Sequence, residues 1–326
     1  MNIDKRFNTY IEDFVNIDPE IVNDARKSRD NMIDKIKELI NKDDELPNLY
    51  EDVIHFGSFN RKTKCRKLDD IDLMVCLNSE GNTANIHDSI DIIINTKENA
   101  KTLNNYLNDK GKLSSIKLTN KIKSIVQSIP EFSRSEIKRD GEAVVLNLIS
   151  YEWSFDLVIA FATVEFDDGL NYYLIPDGKG NWKRTQPIVD KEYTKNVNDK
   201  YESGILEFVR IVKKINQSRS IRLYDSSYLL ECFILKMFDG NLNITGLAKL
   251  QVILNIVNYL VNHNYNPIYD PKGIQGDINN EDLQVKQKRE KKLKEIRDDL
   301  NNALINKDIH YTKSVEYLQK VFGKDF

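Results

Sequence analysis

The stretch HFGSFNRKTKCRKLDDIDLMVCL, residues 55–77, constrains the fold more than any other. Three aspartates, Asp69, Asp70 and Asp72, run directly into an apolar segment that reads as a β-strand. In a strand, side chains at i and i+2 share a face. Asp70 and Asp72 therefore point to one side, while Ile71, Leu73 and Val75 point to the other and supply core. Asp69 is out of phase and faces away. Adjacent carboxylates repel, and burying them unpaired is costly. A divalent cation removes both costs, and Mg²⁺ takes one or two carboxylates together with phosphate and water oxygens.

A third carboxylate is expected from a neighbouring strand. WSFDLVIAF supplies it: Trp153, Phe155, Leu157, Ile159 and Phe161 form one apolar face and Asp156 stands on the other. Three such carboxylates can hold two ions about 4 Å apart across an in-line displacement. Upstream, Gly57-Ser58 follows an apolar stretch and precedes a basic one. Glycine lets backbone N–H groups approach a phosphate, the serine hydroxyl adds a donor, and a helix beginning here would add positive potential. Either feature alone also describes an ordinary strand end or turn.

Residues 19–40 read as a long helix, DVIHF and DIDLMVCL as strands, and NSEGNTAN as a loop. The spacing predicts helices in DSIDIIINTKENAKTLNNYLND and TNKIKSIVQSI. It predicts a hairpin turning at Asp140-Gly141, and a loop with room for a short strand in NYYLIPDGKGNWKRTQP. From about Asn198 the segments DKYESGILEFVRIVKKINQ, SSYLLECFILKMF, ITGLAKLQVILNIVNYLVNH and EDLQVKQKREKKLKEIRDDLNNALINKD all read as helices. The expected fold is α+β: a mixed-sheet domain over 1–197 that carries the long N-terminal helix, and a helical domain over 198–326.

The 326 residues suit one large or two modest domains, and 40% hydrophobic with 30% charged residues allows a sizeable core under a solvated surface. The net charge of -3 does not announce nucleic-acid binding, and it does not exclude a local basic patch. Cys65, Cys76 and Cys232 are far apart, which reads as reduced thiols in a cytoplasmic protein. The start MNIDKRFNTYIEDF is charged where a signal peptide would be apolar, and LAKLQVILNIVNYLV is too short and polar to span a bilayer.

Taken in order, Gly57-Ser58, eleven intervening residues, Asp70-Ile71-Asp72-Leu73 and a later strand aspartate resemble the signature of the polymerase-β-like nucleotidyltransferase superfamily. GSFNRKTKCRKLDDIDLMV further resembles the bacterial cGAS/DncV-like nucleotidyltransferases (CD-NTases), with Arg61 and Thr63 matching a GS-x-x-R-x-T pattern. YYLIPDGKGNWKRTQP, the R-x-x-K helix with Arg210 and Lys213, SSYLLE, DPKG at Asp270 and VFGKDF extend the likeness over almost the whole chain. One departure is Ile215-Asn216 where the family often has Trp-Asn, a change of packing rather than chemistry.

The resemblance implies a polymerase-β-like core and a C-terminal helical domain (PAP/OAS-like) that closes the active-site cleft, linked by the long helix. It implies Asp70, Asp72 and Asp156 as ligands of two Mg²⁺ (or Mn²⁺) ions, with Asp156 also helping to deprotonate a ribose hydroxyl. Gly57, Ser58 and Lys213 would hold a triphosphate, and Ser227 and Tyr228 would contact a base. For Lys213 a solvated surface charge, and for Tyr228 core packing, are the competing readings. The implied activity joins NTPs, with ATP or GTP favoured, into a cyclic dinucleotide or trinucleotide second messenger. In bacterial anti-phage CBASS defence that product switches on a separate effector. The alternatives are an enzyme making linear oligonucleotides or modifying RNA or protein, and an RNA-sensing pseudoenzyme. Basic clusters at Arg61–Lys67, at Arg26, Lys27 and Arg29, and in KQKREKKLKEIR are candidate sites for a phage RNA activator, against the commoner role of solvated faces.

Overall fold

The computed structural model describes residues 2–86, 91–165, 169, 171–202, 204–218 and 222–326. Helix α1 (Ile3–Tyr10) runs through one π-helical turn, Ile11–Val15, towards α2 (Pro19–Lys42), the long helix expected from periodicity. β1 (Ile54–His55), the single turn α3 (Gly57–Asn60) and β2 (Asp70–Cys76) follow. β3 (Thr83–Ala84) and β4 (Ile94–Asn95) form a small separate ribbon. After α4 (Ser115–Gln127) come β5 (Glu136–Asp140), β6 (Ala143–Asn147), β7 (Ser154–Ala162), β8 (Tyr173–Pro176) and β9 (Trp182–Thr185). The rest is helical: α5 (Pro187–Asp199), α6 (Ile205–Gln217), α7 (Ser227–Asp239), α8 (Lys249–His263), α9 (Leu283–Asn306) and α10 (Tyr311–Phe322).

The chain divides into two compact units that interleave in sequence. The sheet unit is Glu20–Asn60 with Leu68–Ile188, and the helical unit is Met1–Pro19, Arg61–Lys67 and Val189–Phe326. A cut by compactness thus falls near residue 188, and it assigns two N-terminal segments to the helical unit.

The seven-stranded sheet runs β1-β2-β7-β6-β5, with β8 pairing the end of β7 and β9 pairing β8. β2 and β7 are parallel and the other pairs antiparallel, so the sheet is mixed. Ile71, Leu73 and Val75 of β2 and Phe155, Leu157, Ile159 and Phe161 of β7 are all buried, as the alternation requires. On the opposite face Met74, Cys76, Val158 and Ala160 join Ala143, Tyr173 and Ile175 in a second, smaller core. The β5–β6 hairpin turns through Gly141 and Glu142, with Gly141 at φ +52°, as a two-residue loop with glycine first allows.

One expectation fails outright, and two loop readings hold only in part. The helix expected over residues 88–109 is absent among its described residues (88–90 lie outside them). Ile92 pairs with Trp182, Ile94 enters β4, and only Leu103–Tyr106 turns, as a short 3₁₀ segment. A run of β-branched isoleucines prefers extended backbone once a partner strand is offered. The segment NYYLIPDGKGNWKRTQP is the β8–β9 hairpin, with two short strands rather than one: the Asp177 carboxylate accepts the N–H groups of Lys179, Gly180 and Asn181 at 2.7, 2.9 and 3.0 Å. Trp182, fully buried, donates its indole N–H to the Leu113 carbonyl, and Pro187 opens α5, where a missing N–H is harmless. NSEGNTAN, finally, contains β3.

The helical unit has its own core, built from α1 and α6 to α10. VFGKDF finds its role there. Phe322 and Phe326 pack on Phe7 and Tyr10 with ring centroids 5.3–6.0 Å apart, and the Tyr10 hydroxyl donates to the Phe322 carbonyl. The three cysteines are buried and unpaired. No helix among the described residues is long and apolar enough to cross a membrane.

Candidate active site

In the sheet unit, β1 lies antiparallel to β2 with His55 opposite Leu73, and the Phe56 N–H donates to the Asp72 carbonyl at 3.3 Å. This pairing brings Gly57 against the Asp72 side chain. A Cβ on Gly57 would lie 1.7 Å from Asp72 Oδ2, and φ is +71°, so only glycine fits on both counts. The Asn60 amide closes the turn on the His55 carbonyl at 2.7 Å. Because α3 has only four residues, it carries no macrodipole of a full helix. What Gly57-Ser58 presents is local backbone and one half-buried hydroxyl.

Parallel pairing sets Asp72 beside Asp156, and Asp70 beside Ser154. Register partners on adjacent strands point to the same side, so Asp70, Asp72 and Asp156 share one face, all three half-buried. Asp69 lies outside β2, exposed, and its carbonyl accepts the Ser154 N–H and hydroxyl. Among the described residues no three His, Cys, Asp or Glu are gathered into a group that could by itself hold a metal ion. The aspartates are brought to one face without forming a finished cage. An oxygen-only donor set of this size suits a hard cation completed by phosphate and water, and bare Gly57 keeps room beside Asp72.

The other predicted residues belong to the helical unit. Lys213 on α6 is 4% exposed, so it is no solvated surface charge. Its Nζ lies 2.5 Å from Glu231 Oε1 on α7. Glu231 Oε2 accepts from Arg61 Nη2 at 3.1 Å and Thr63 Oγ1 at 3.0 Å. Burial pushes the Glu231 carboxyl up, but Arg61, Lys213 and the Thr63 hydroxyl outweigh it and hold the group below the usual range. Sequence reasoning missed Glu231. Its signal was a lone carboxylate inside the apolar run YLLECFIL, which cannot be buried without partners.

Ser226 caps α7, accepting the Leu229 N–H, so Ser227 is the first helical residue and is half-buried. Tyr228 packs partly buried against the helical core. Its hydroxyl donates towards Asp190 at 2.5 Å and Asp270 at 3.0 Å and accepts from Lys272 at 2.7 Å, while the Lys272 ammonium lies 4.1 Å from the ring centroid. Burial, with the acidic neighbours, pushes the phenol far above its ordinary value. DPKG therefore supplies two groups that fix this tyrosine.

The basic segment Arg61–Lys67 is largely engaged within its own unit. Besides the Glu231 contacts, Arg210 donates to the Lys62 carbonyl at 2.7 Å, Cys65 to Gln217 at 3.1 Å, and Arg66 to the Asp13 carbonyl at 2.7 Å. Lys62 and Lys67 remain exposed. In KQKREKKLKEIR, Arg289 is buried on Glu281, and Lys292, Lys294 and Arg297 pair with Glu295, Glu290 and Asp298. Lys27 pairs with Asp24 and Arg29 with Asp30.

A scan of family models matches none. A protein named "Probable cyclic nucleotide synthase" from Bacillus cereus (strain VD146) is 37% identical over 323 residues, 98% of this chain and 96% of its own length. The chain belongs to the cGAS/DncV-like nucleotidyltransferases. Solved structures show the same fold for this CD-NTase at low identity. E. coli MS115-1 CdnC with ATP matches at 16% identity and TM-score 0.71, covering 100% of this chain and 99% of that one. CdnC in complex with HORMA-deltaN matches at 17% and 0.70, covering 99% and 98%. E. coli DncV bound to 3'-deoxy GTP matches at 10% and 0.60, covering 83% and 69%. The fold is thus the polymerase-β-like one that the Gly-Ser and aspartate motifs imply.

Proposed function

We propose that this CD-NTase is a cyclic oligonucleotide synthase that joins NTPs, purine nucleotides favoured, into a cyclic dinucleotide or trinucleotide. The observation that carries the reading is the placement of Asp70, Asp72 and Asp156 on one face beside Gly57, in a chain homologous over nearly its full length to a protein named "Probable cyclic nucleotide synthase". A ribose hydroxyl attacks an α-phosphate, the new P–O bond forms, and the bond to pyrophosphate breaks. Asp156 helps to remove the hydroxyl proton. Gly57 and Ser58 hold the donor triphosphate through backbone N–H groups and the hydroxyl. Lys213 has three N–H donors, of which the bond to Glu231 uses one, and is assigned to the same phosphates. Ser227 and Tyr228 are assigned to a base. Asp70, Asp72 and Asp156 would hold two Mg²⁺ or Mn²⁺ ions. Such ions, when bound, lower the pKa of the attacking hydroxyl and neutralise phosphate charge.

The product would serve as a second messenger for a separate effector in anti-phage signalling, in the cytoplasm. CdnC with ATP and DncV with 3'-deoxy GTP support nucleotide substrates by analogy. The CdnC complex with HORMA-deltaN supports testing this chain for a regulatory protein partner, and a phage RNA activator rests on the basic clusters alone. Asp72→Ala and Asp70→Ala, assayed by mass spectrometry of NTP reactions, should give no nucleotide product while melting as cooperatively as the parent. Product from either variant contradicts the assignment.

A further inference from the structure

We propose that Glu231 is a positioning residue for this nucleotidyl transfer. Its one buried carboxylate fixes Lys213 and, through Arg61 and Thr63, the segment that joins Gly57-Ser58 to Asp70 and Asp72. The inference rests on the reading of the chain as a nucleotidyltransferase.

Glu231 is 2% exposed, and Leu229, Leu230, Cys232 and Phe233 around it on α7 are all buried and apolar. For packing alone an apolar residue would serve as well or better, because desolvating a carboxylate and its cations offsets most of their attraction. The carboxylate instead gathers three donors from two places: Lys213 from α6, and Arg61 and Thr63 from the loop. That loop is held again at Lys62, Cys65 and Arg66 by Arg210, Gln217 and the Asp13 carbonyl. Arg61 stands three residues after Ser58, and Thr63 seven before Asp70. The segment is the covalent link between the triphosphate turn and the aspartates, and both must be held accurately for in-line attack. Misplacement of reacting groups by about 1 Å can cost about a hundredfold in rate. This assigns a task to the R-x-T of the GS-x-x-R-x-T pattern: both side chains bind Glu231.

Glu231→Gln leaves two buried cations without their carboxylate and can unfold the chain. Thr63→Val, which removes one hydroxyl at constant shape, and Arg61→Gln are therefore measured beside it. The experiment records thermal melts, then kcat and KM for NTPs well below the lowest melt. The expected result is folded variants whose kcat falls by about tenfold or more while KM stays within about threefold. The double variant Arg61→Gln/Thr63→Val should lose less than the product of the single losses, since both act through one carboxylate. Folded Thr63→Val and Arg61→Gln with near-parental kcat, a change in KM alone, or a loss that disappears below the melts would overturn the proposal. A parent chain that makes no nucleotide product overturns the enzyme reading and this inference together. An active parent with fully active variants overturns only this inference.

Discussion

At the scale of single residues, Gly57 is the sharpest constraint on the site. Its φ of +71° costs an L-residue about 1–2 kcal/mol, and the built Cβ would collide with Asp72 Oδ2. Gly57→Ala should therefore displace the Asp72 carboxylate more than it destabilises the sheet. The expected outcome is a fall in product formation of about a hundredfold or more with a melt lowered by only a few degrees. Activity within threefold of the parent would show that the Gly57–Asp72 contact does not govern the site. Asp69 carries the opposite expectation. It is exposed and outside β2, so Asp69→Asn should change kcat by less than about twofold in the same assay.

At the scale of elements, Asn216 explains half of the Trp-Asn pair that this chain keeps only as Ile215-Asn216. Asn216 Oδ1 accepts the N–H groups of Leu223 and Tyr224 at 2.8 and 3.0 Å, and its Nδ2 donates to the Tyr224 carbonyl at 2.8 Å. It thus ties the end of α6 to the approach to α7. Asn216→Ala should cost about 1–3 kcal/mol, read from the urea midpoint at unchanged slope, because buried backbone groups lose their partner. The same scale shows what was legible in sequence. β2 and β7 could be read because apolar alternation and three carboxylates, Asp70, Asp72 and Asp156, coincide. The β8–β9 hairpin could not, because its Gly, Pro and Asp content is that of a loop, and the order comes from one carboxylate, Asp177, and from the bond of Trp182 to the distant Leu113 carbonyl. The Ile92–Ile94 stretch reads as helix in isolation because its local pattern does not show its partners, Trp182 far along the chain for Ile92 and Ala84 of β3 for Ile94. Tyr228 was legible as a position but not as the centre of a network with Asp190, Asp270 and Lys272, which only tertiary structure assembles.

At the scale of the whole molecule, buried charge dictates the response to pH. Burial raises the Asp270 carboxyl, but hydrogen bonding and charge from Lys272 outweigh it, so Asp270, like Glu231, sits below its ordinary value. A depressed folded pKa adds stability that is complete above the ordinary values, 3.8 for Asp270 and 4.5 for Glu231, and is lost as pH falls through the lowered ones. Thermal melts of the parent and Asp270→Asn from pH 7 to pH 3 should differ most at pH 7 and converge in acid. A difference that grows in acid would contradict the sign. The charge pairing also bears on an RNA activator. Arg61, Arg66 and Arg289 are engaged internally, while Lys62, Lys67, Lys288 and Lys291 stay exposed. An activator role for these lysines predicts that nuclease treatment lowers the rate of the purified enzyme and that added RNA restores it.

The most direct test of the central claim is product analysis. The purified chain is incubated with all four NTPs and Mg²⁺ or Mn²⁺, treated with phosphatase and examined by mass spectrometry. The account predicts a phosphatase-resistant cyclic di- or trinucleotide containing a purine. Only linear or macromolecule-linked products, or none, would contradict it.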